Sequence, residues 1–174
     1  MKKVEDYITS IPDFPKEGII FRDVTSVLES QEGFALAIDE MNKLLDGVDY
    51  NLIAGAESRG FIFGAPLAYM NKKGFIPVRK KGKLPRETVE MSYELEYGSA
   101  TIEIHKDSIK PGDKVVLVDD LIATGGTIEA AAKLVEQLGG EVVKIIFLIE
   151  LVDLKGRDVL KDYDVASIVQ FEGE

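Results

Sequence analysis

The chain of 174 residues sets 31 acidic against 21 basic side chains, a formal net charge of −10, with 45% apolar residues and no cysteine. A chain of this length predicts one domain with a sizeable core, and its acidic balance disfavours a nucleic-acid backbone, which needs a basic patch. Disulfides and thiolate metal sites are excluded and a cytoplasmic protein is expected; no apolar run reaches the length of a membrane span, and Met1 to Ser10 lacks a signal-peptide core.

In chain order, Val4 to Ile8 predicts a short helical start. Ile11 to Gly18, IPDFPKEG, carries two prolines and a glycine and is expected to be loop, followed by a brief apolar stretch from Ile19 to Phe21. Phe34, Ala37, Ile38, Met41, Leu44 and Leu45 share a helical face within Gly33 to Leu45, and Gly47 ends it. Asn51 to Gly55 predicts a short strand. After AESRG, Gly60 to Lys72 predicts a helix with Phe61, Phe63, Ala65, Leu67, Ala68 and Met70 as its apolar set, Pro66 being tolerated early in it. Phe75 to Val78 follows as a strand. Strand, helix and strand within about 28 residues make a βαβ unit, hence a parallel sheet with helices on its faces.

The pattern then changes. Arg79 to Glu87, RKKGKLPRE, is basic and poorly patterned, which suits a solvated loop or a mobile lid whose Arg79 or Lys83 grips an anion. Val89, Met91, Tyr93, Leu95 and Tyr97 alternate along VEMSYELEY, Gly98-Ser99 turns, and Thr101 to His105 returns, predicting an inserted β-hairpin. His105, the only histidine, is expected among exposed polar residues and is given no catalytic role. Lys110 to Asp113 makes a turn. Beyond the central stretch described next, Gly139-Gly140 stops a helix, Val142 to Leu148 predicts a second buried strand, and the tail from Lys155 adds charged turns and a strand at Val165 to Val169.

The most informative stretch is VVLVDDLIATGGT, Val115 to Thr127. Val115 to Val118 suit a strand buried on both faces, with Asp119 and Asp120 expected at its C-terminal end. Ala123, Thr124, Gly125, Gly126 and Thr127 are small or hydroxylated throughout, and Ile128, Ala131, Ala132, Leu134, Val135 and Leu138 begin an amphipathic helix. Small residues let backbone N–H groups approach a ligand, and a helix N-terminus favours an anion. The two carboxylates would repel a phosphate, so they call for ribose hydroxyls or a Mg²⁺-bound sugar. The stretch therefore predicts a phosphorylated-sugar site, although two acids and two glycines alone could merely end a strand and cap a helix. Arg59, where another strand gives way to a helix, reads by position alone as an ordinary surface arginine; paired with the Asp119 loop at a second strand end it is placed to face an anion, since ligands of open α/β sheets bind at the carboxyl ends of strands. Phe21 suits the core on composition, yet a planar base could stack on it while nearby backbone groups read its edge.

Six stretches carry a family resemblance: IPDFPKEGIIFRDVTSVL, AESRGFIFGAPLA, RKKGKLPRET, SYELEYG, VVLVDDLIATGGT and LIELVDLKGRD. The fifth matches the signature by which type I phosphoribosyltransferases bind phosphoribosyl pyrophosphate (PRPP). Over nearly its whole length the chain resembles the adenine branch of that family, and FRD, GKLP and LEYG single out the branch. The resemblance implies an α/β fold: a central, mostly parallel sheet flanked by helices, with an inserted β-hairpin lid and a small N-terminal hood. One domain, 1–174, would hold a base-recognition hood at 1–32 and a flexible hairpin insertion at 80–106.

It also implies the reaction: adenine and PRPP give AMP and pyrophosphate, a purine-salvage step. The implied catalytic set is Glu96, Asp119, Asp120 and Arg59. Phe21 and Leu121 would sandwich adenine, with the backbone of Ile20 and Arg22 reading its amine. Ser58, Arg59, Arg79 and Lys83 would bind pyrophosphate, the last two from the same or a neighbouring subunit of a homodimer. Asp119 and Asp120 would hold the ribose hydroxyls, and Ala123, Thr124, Gly125, Gly126 and Thr127 the 5′-phosphate. Glu96 and Tyr97 would close over the site, Glu96 as the candidate proton donor. Mg²⁺ would enter with PRPP rather than in a dedicated cage, Asp119 and Asp120 being the carboxylates able to reach it. A cis peptide is implied at Glu57–Ser58. Rival expectations are a xanthine-type relative, a nucleic-acid-binding regulator disfavoured by the acidic charge, and a dinucleotide-binding domain, which lacks its G-x-G-x-x-G.

Overall fold

The computed structural model describes residues 1–95 and 97–173. A 3-10 turn at Val4–Tyr7 leads into β1 (Thr9–Pro12) and β2 (Ile20–Asp23), then α1 (Thr25–Glu29) and α2 (Gln31–Lys43). There follow β3 (Leu52–Ala56), α3 (Arg59–Asn71), β4 (Gly74–Lys80), β5 (Thr88–Glu94), β6 (Ser99–His105) and β7 (Lys114–Ile122). The chain continues through α4 (Gly126–Gln137), β8 (Glu141–Leu151), α5 (Gly156–Val159) and β9 (Val165–Phe171).

Seven strands form one sheet in the order β5-β6-β4-β3-β7-β8-β9; β4, β3, β7, β8 and β9 run parallel, and the β5–β6 hairpin joins antiparallel beside β4. Side chains alternate across a strand, so β7 feeds two cores. Val116 and Val118 pack with Met41 of α2 and Phe63 and Leu67 of α3; Val115 and Leu117 pack with Ala131, Leu134 and Val135 of α4. Helices thus cover both faces, as continuously apolar parallel strands require. The Ser30 side chain accepts the Gly33 N–H to start α2. Its predicted face is inward at Ala37, Ile38, Met41 and Leu45, whereas in α3 Ala65 and Met70 face out and Gly60 and Gly64 are buried in their stead.

Three local expectations change. Ile11 and Pro12 are not loop: Ile11 pairs with Phe21 and Pro12 with Ile20 in a separate two-stranded ribbon. Proline is tolerated at the end of such a ribbon, where no further ladder bond depends on its missing N–H. The acids lie in the C-terminal part of β7, but the strand does not stop at them: pairing with β8 runs on to Leu121–Ile149 and Ile122–Glu150. His105 is buried, 8% exposed, and its Nε2 accepts the Arg86 N–H at 3.3 Å. The reason is tertiary: β6 lies between β5 and β4.

Candidate active site

Strand order reverses between β3 and β7. From β3 the chain passes through α3 to β4 on one side; from β7 it passes through α4 to β8 on the other. The carboxyl ends of β3 and β7 therefore flank a crevice of the kind where open α/β sheets bind ligands. Ala56 to Arg59 and Asp119 to Thr127 sit on its two sides.

At the end of β3, the Glu57–Ser58 peptide is cis and α3 begins at Arg59. A Cβ at Gly60 would lie 3.0 Å from the Val118 carbonyl oxygen and 3.1 Å from Asp119 Oδ1, so glycine lets α3 start directly against β7. That approach brings Arg59 Nε to 2.5 Å from Asp120 Oδ2, between a carboxylate 6% exposed and a guanidinium 58% exposed. The Asp120 hydrogen bond raises the Arg59 pKa further, keeping it cationic. Asp119 accepts the Asp120 N–H at 2.8 Å. Burial first, and the Asp120 charge second, push the Asp119 carboxyl well above the ordinary aspartate range. Ligand hydroxyls or a cation in the crevice would favour its ionised form.

On the β7 side, Gly125 caps α4 at φ +86°, a left-handed conformation that disfavours side chains. A Cβ there would also fall 2.8 Å from the Gly156 carbonyl oxygen. Ala123 to Thr127 line a concavity of about 130 Å³ with Asp119 and Leu121. Thr127 Oγ1 donates to the Tyr93 hydroxyl at 2.9 Å, joining the glycine loop to the hairpin.

Two larger cavities adjoin it. One of about 390 Å³ is lined by Glu57, Ser58, Arg59, Lys80, Tyr93, Asp119, Asp120, Leu121 and Thr127. The other, about 500 Å³, lies under the β1–β2 ribbon between Ile20, Phe21, Arg22, Leu121, Leu151 and Leu154, and also touches Arg59 and Asp120. Phe21 is 39% exposed, its ring set edge-on to Phe14 at 5.3 Å. The Arg22 guanidinium stacks 4.0 Å from the Phe171 ring centre and donates to Ser10 Oγ. Leu121 borders all three spaces.

The basic loop is less open than its composition suggests. Arg79 donates twice to Glu57 Oε1, at 3.0 and 2.9 Å, and Lys83 Nζ lies 3.7 Å from the same atom. Burial pushes the Glu57 carboxyl up, but Arg79, the Lys80 N–H and Lys83 outweigh it and hold the pKa down. Buried Glu103 accepts the backbone N–H groups of Gly82, Lys83 and Leu84 at 3.0–3.1 Å. Arg79 and Lys83 are thus one residue removed from the central cavity, behind Glu57. Tyr97, at the hairpin tip, is exposed and borders none of the three spaces, and Glu96 lies outside the described residues. Tyr93, Lys80, Leu151 and Leu154 were not anticipated; only Tyr93 carried a signal, its place on the inward side of the alternating strand. Among the described residues no three carboxylates or histidines cluster for a metal, so Asp119 and Asp120 remain the adjacent acids of the site.

A glycine loop, paired acids and an arginine at one switch point define a class. The phosphoribosyl transferase domain family model matches residues 25–173. An adenine phosphoribosyltransferase of Butyrivibrio fibrisolvens is 71% identical over all of this chain and 96% of its own length. The crystal structure of adenine phosphoribosyltransferase from Thermoanaerobacter pseudethanolicus superposes with a TM-score of 0.92 at 55% identity, covering 97% of this chain and 98% of that one. The Saccharomyces cerevisiae enzyme, crystallised with adenine and an imino-altritol bisphosphate, superposes at 0.88 with 41% identity, covering 95% of this chain and 96% of that one. This chain belongs to the phosphoribosyltransferase family, in its adenine phosphoribosyltransferase branch.

Proposed function

We propose that the chain transfers the 5-phosphoribosyl group of PRPP to adenine, giving AMP and pyrophosphate. The observation that carries this is the meeting of three compartments at Leu121: a largely apolar slot beside Phe21, an acid-lined middle, and a glycine loop at a helix N-terminus. They match, in order, a planar base, a ribose and a 5′-phosphate. The Saccharomyces cerevisiae relative was crystallised with adenine and a sugar-like bisphosphate, the ligand classes these compartments suit.

The residue roles follow from chemistry. Adenine lies between Phe21 and Leu121, and the backbone of Ile20 and Arg22 reads its edge. A carbonyl facing C6 suits the amino donor of adenine and is left unpaired by guanine or hypoxanthine, a mismatch of ~1–3 kcal/mol. Asp119 and Asp120 hold the ribose hydroxyls; Ala123, Thr124, Gly125, Gly126 and Thr127 hold the phosphate. As the C1′–O bond to pyrophosphate weakens, the sugar gains cationic character that the nearby carboxylates tolerate, while Ser58 and Arg59 receive the leaving anion. Arg79 and Lys83 reach that anion when it displaces them from Glu57. Positioning adenine in line removes part of the barrier, and closure of the hairpin tip, with Glu96 and Tyr97, excludes competing water.

Mg²⁺ fits this donor set. It keeps several waters and is bound by one or two carboxylates plus substrate phosphates, which asks of the protein no more than Asp119 and Asp120. When bound it neutralises pyrophosphate charge. We assign residues 1–32 as the hood, 80–106 as the lid, and the cytoplasm, consistent with the absence of cysteine, as the compartment. We also propose a homodimer, because α3 exposes Ile62, Tyr69 and Met70 to solvent.

The test is AMP formation from labelled adenine and PRPP, with and without Mg²⁺, with guanine, hypoxanthine and xanthine as controls. Transfer to adenine alone is expected. Preference for another base, or no transfer, would overturn the assignment; a monomer in light scattering would overturn the dimer.

A further inference from the structure

The stretch LIELVDLKGRD is given no role in the chemistry above, yet it holds an ion pair between buried Glu150 and half-buried Arg157. Glu150, at the end of β8, is 6% exposed. Arg157 of α5 grips it with a two-pronged fork, Nε to Oε1 at 2.7 Å and Nη2 to Oε2 at 2.9 Å. Ser167 Oγ and Gln170 Nε2 of β9 donate to Oε2 at 2.6 and 3.2 Å, and Arg157 Nη1 donates to the Val165 carbonyl at 2.8 Å. Hydrogen bonding to Arg157, above all, holds the Glu150 carboxyl below its usual range. Neither residue borders the three cavities.

The short chain between the two does. Leu151 and Leu154 form a wall of the base cavity. Gly156 is pressed against the back of the phosphate loop: a Cβ on it would fall 2.5 Å from the Ala123 carbonyl oxygen and 2.6 Å from Ile122 Cγ1. From the other side, a Cβ on Gly125 would meet the Gly156 carbonyl oxygen at 2.8 Å. No slack lies between segment and loop, so a displacement of one displaces the other.

We propose that the Glu150–Arg157 pair is a positioning device that sets the base wall and the phosphate loop together, through the segment it clamps. A planar fork on a carboxylate fixes direction as well as distance, which a lysine point charge does not reproduce. Both residues are positioning residues; neither touches substrate. The inference rests on the phosphoribosyl-transfer reading, because its readouts are the affinities for PRPP, adenine and AMP.

Three variants test it: Arg157→Lys, Glu150→Gln and Gly156→Ala. Each is assayed for kcat and KM with both substrates, for AMP affinity by calorimetry, and for thermal midpoint. The two clamp variants are expected to raise KM for both PRPP and adenine about fivefold or more, with kcat within about twofold, and to weaken AMP comparably. Gly156→Ala, which leaves the ion pair intact, is expected to raise KM for PRPP while adenine KM stays nearly unchanged. A folded Arg157→Lys with wild-type KM values and AMP affinity overturns the proposal. So does a lowered thermal midpoint with KM unmoved, the mark of a purely structural pair. Should a clamp variant fail to fold, Gly156→Ala with unchanged PRPP KM still overturns it. A wild-type chain that makes no AMP overturns the functional reading itself, whereas an active wild type with unshifted variants overturns only the positioning role.

Discussion

Asp120→Asn separates stability from catalysis at this site. The Asp120 side chain is 6% exposed, but its partner, Arg59, is 58% exposed. Neutralising Asp120 therefore strands no buried charge: the guanidinium turns to water, and the asparagine oxygen can still accept from Arg59 Nε. Discounted for that exposure, the ion pair contributes only about 1 kcal/mol or less to folding. Part of even this is returned, because Asp119 loses the like charge that helps to raise its pKa. In a chain of this size a change of that order moves the thermal midpoint by roughly 2–4 °C. Turnover responds differently. On the proposed reading the carboxylate would meet the ribose as it becomes cationic and hold Arg59 toward the leaving group, so its loss is expected to lower kcat at least about tenfold, or ~1.4 kcal/mol in the transition state. Steady-state AMP formation beside a thermal melt reads both quantities. Wild-type turnover in the folded variant would refute the role, and a melt lowered by more than about 10 °C would show that the folding estimate is wrong.

Asp119→Asn is expected to stabilise the unliganded protein while reducing activity. The folded-state pKa is raised, so the native chain binds the extra proton, and stability falls as pH climbs from the ordinary value of 3.8 through the folded one. The substitution should raise the thermal midpoint at pH 7, with the gain fading at pH values below the ordinary aspartate range; a lower midpoint at pH 7 would contradict the burial argument. Phe63→Ala removes a side chain that is 0% exposed and packed edge-on against Phe34, and should lose about 3–5 kcal/mol in urea unfolding, a loss under about 1 kcal/mol being incompatible with this core. Chelating Mg²⁺ should abolish AMP formation yet leave the melt of the ligand-free protein unmoved, because the metal is proposed to arrive with PRPP. A melt lowered by chelator would point to a resident structural ion instead.

Much of the frame was legible in the chain because it is written in local periodicity. Val115 to Val118 read as a two-faced strand, Ile128 to Val135 as a helix face, and Ala123 to Thr127 as a loop that admits backbone to an anion. These depend on neighbours a few residues apart. What escaped depends on partners far apart in sequence. Nothing near His105 announces that β6 is enclosed by β4 and β5, or that Glu103 will staple the backbone of Gly82 to Leu84. The Thr127–Tyr93 bond spans 34 positions, and the cavity under the β1–β2 ribbon joins Phe21 to Leu121 and Leu154. An apolar period tells which face of an element avoids water, but not which element covers it. The sequence by itself therefore determined the elements and the chemistry each could offer, whereas the order of strands in the sheet decided which offers meet, since only packing brings distant side chains within hydrogen-bonding range.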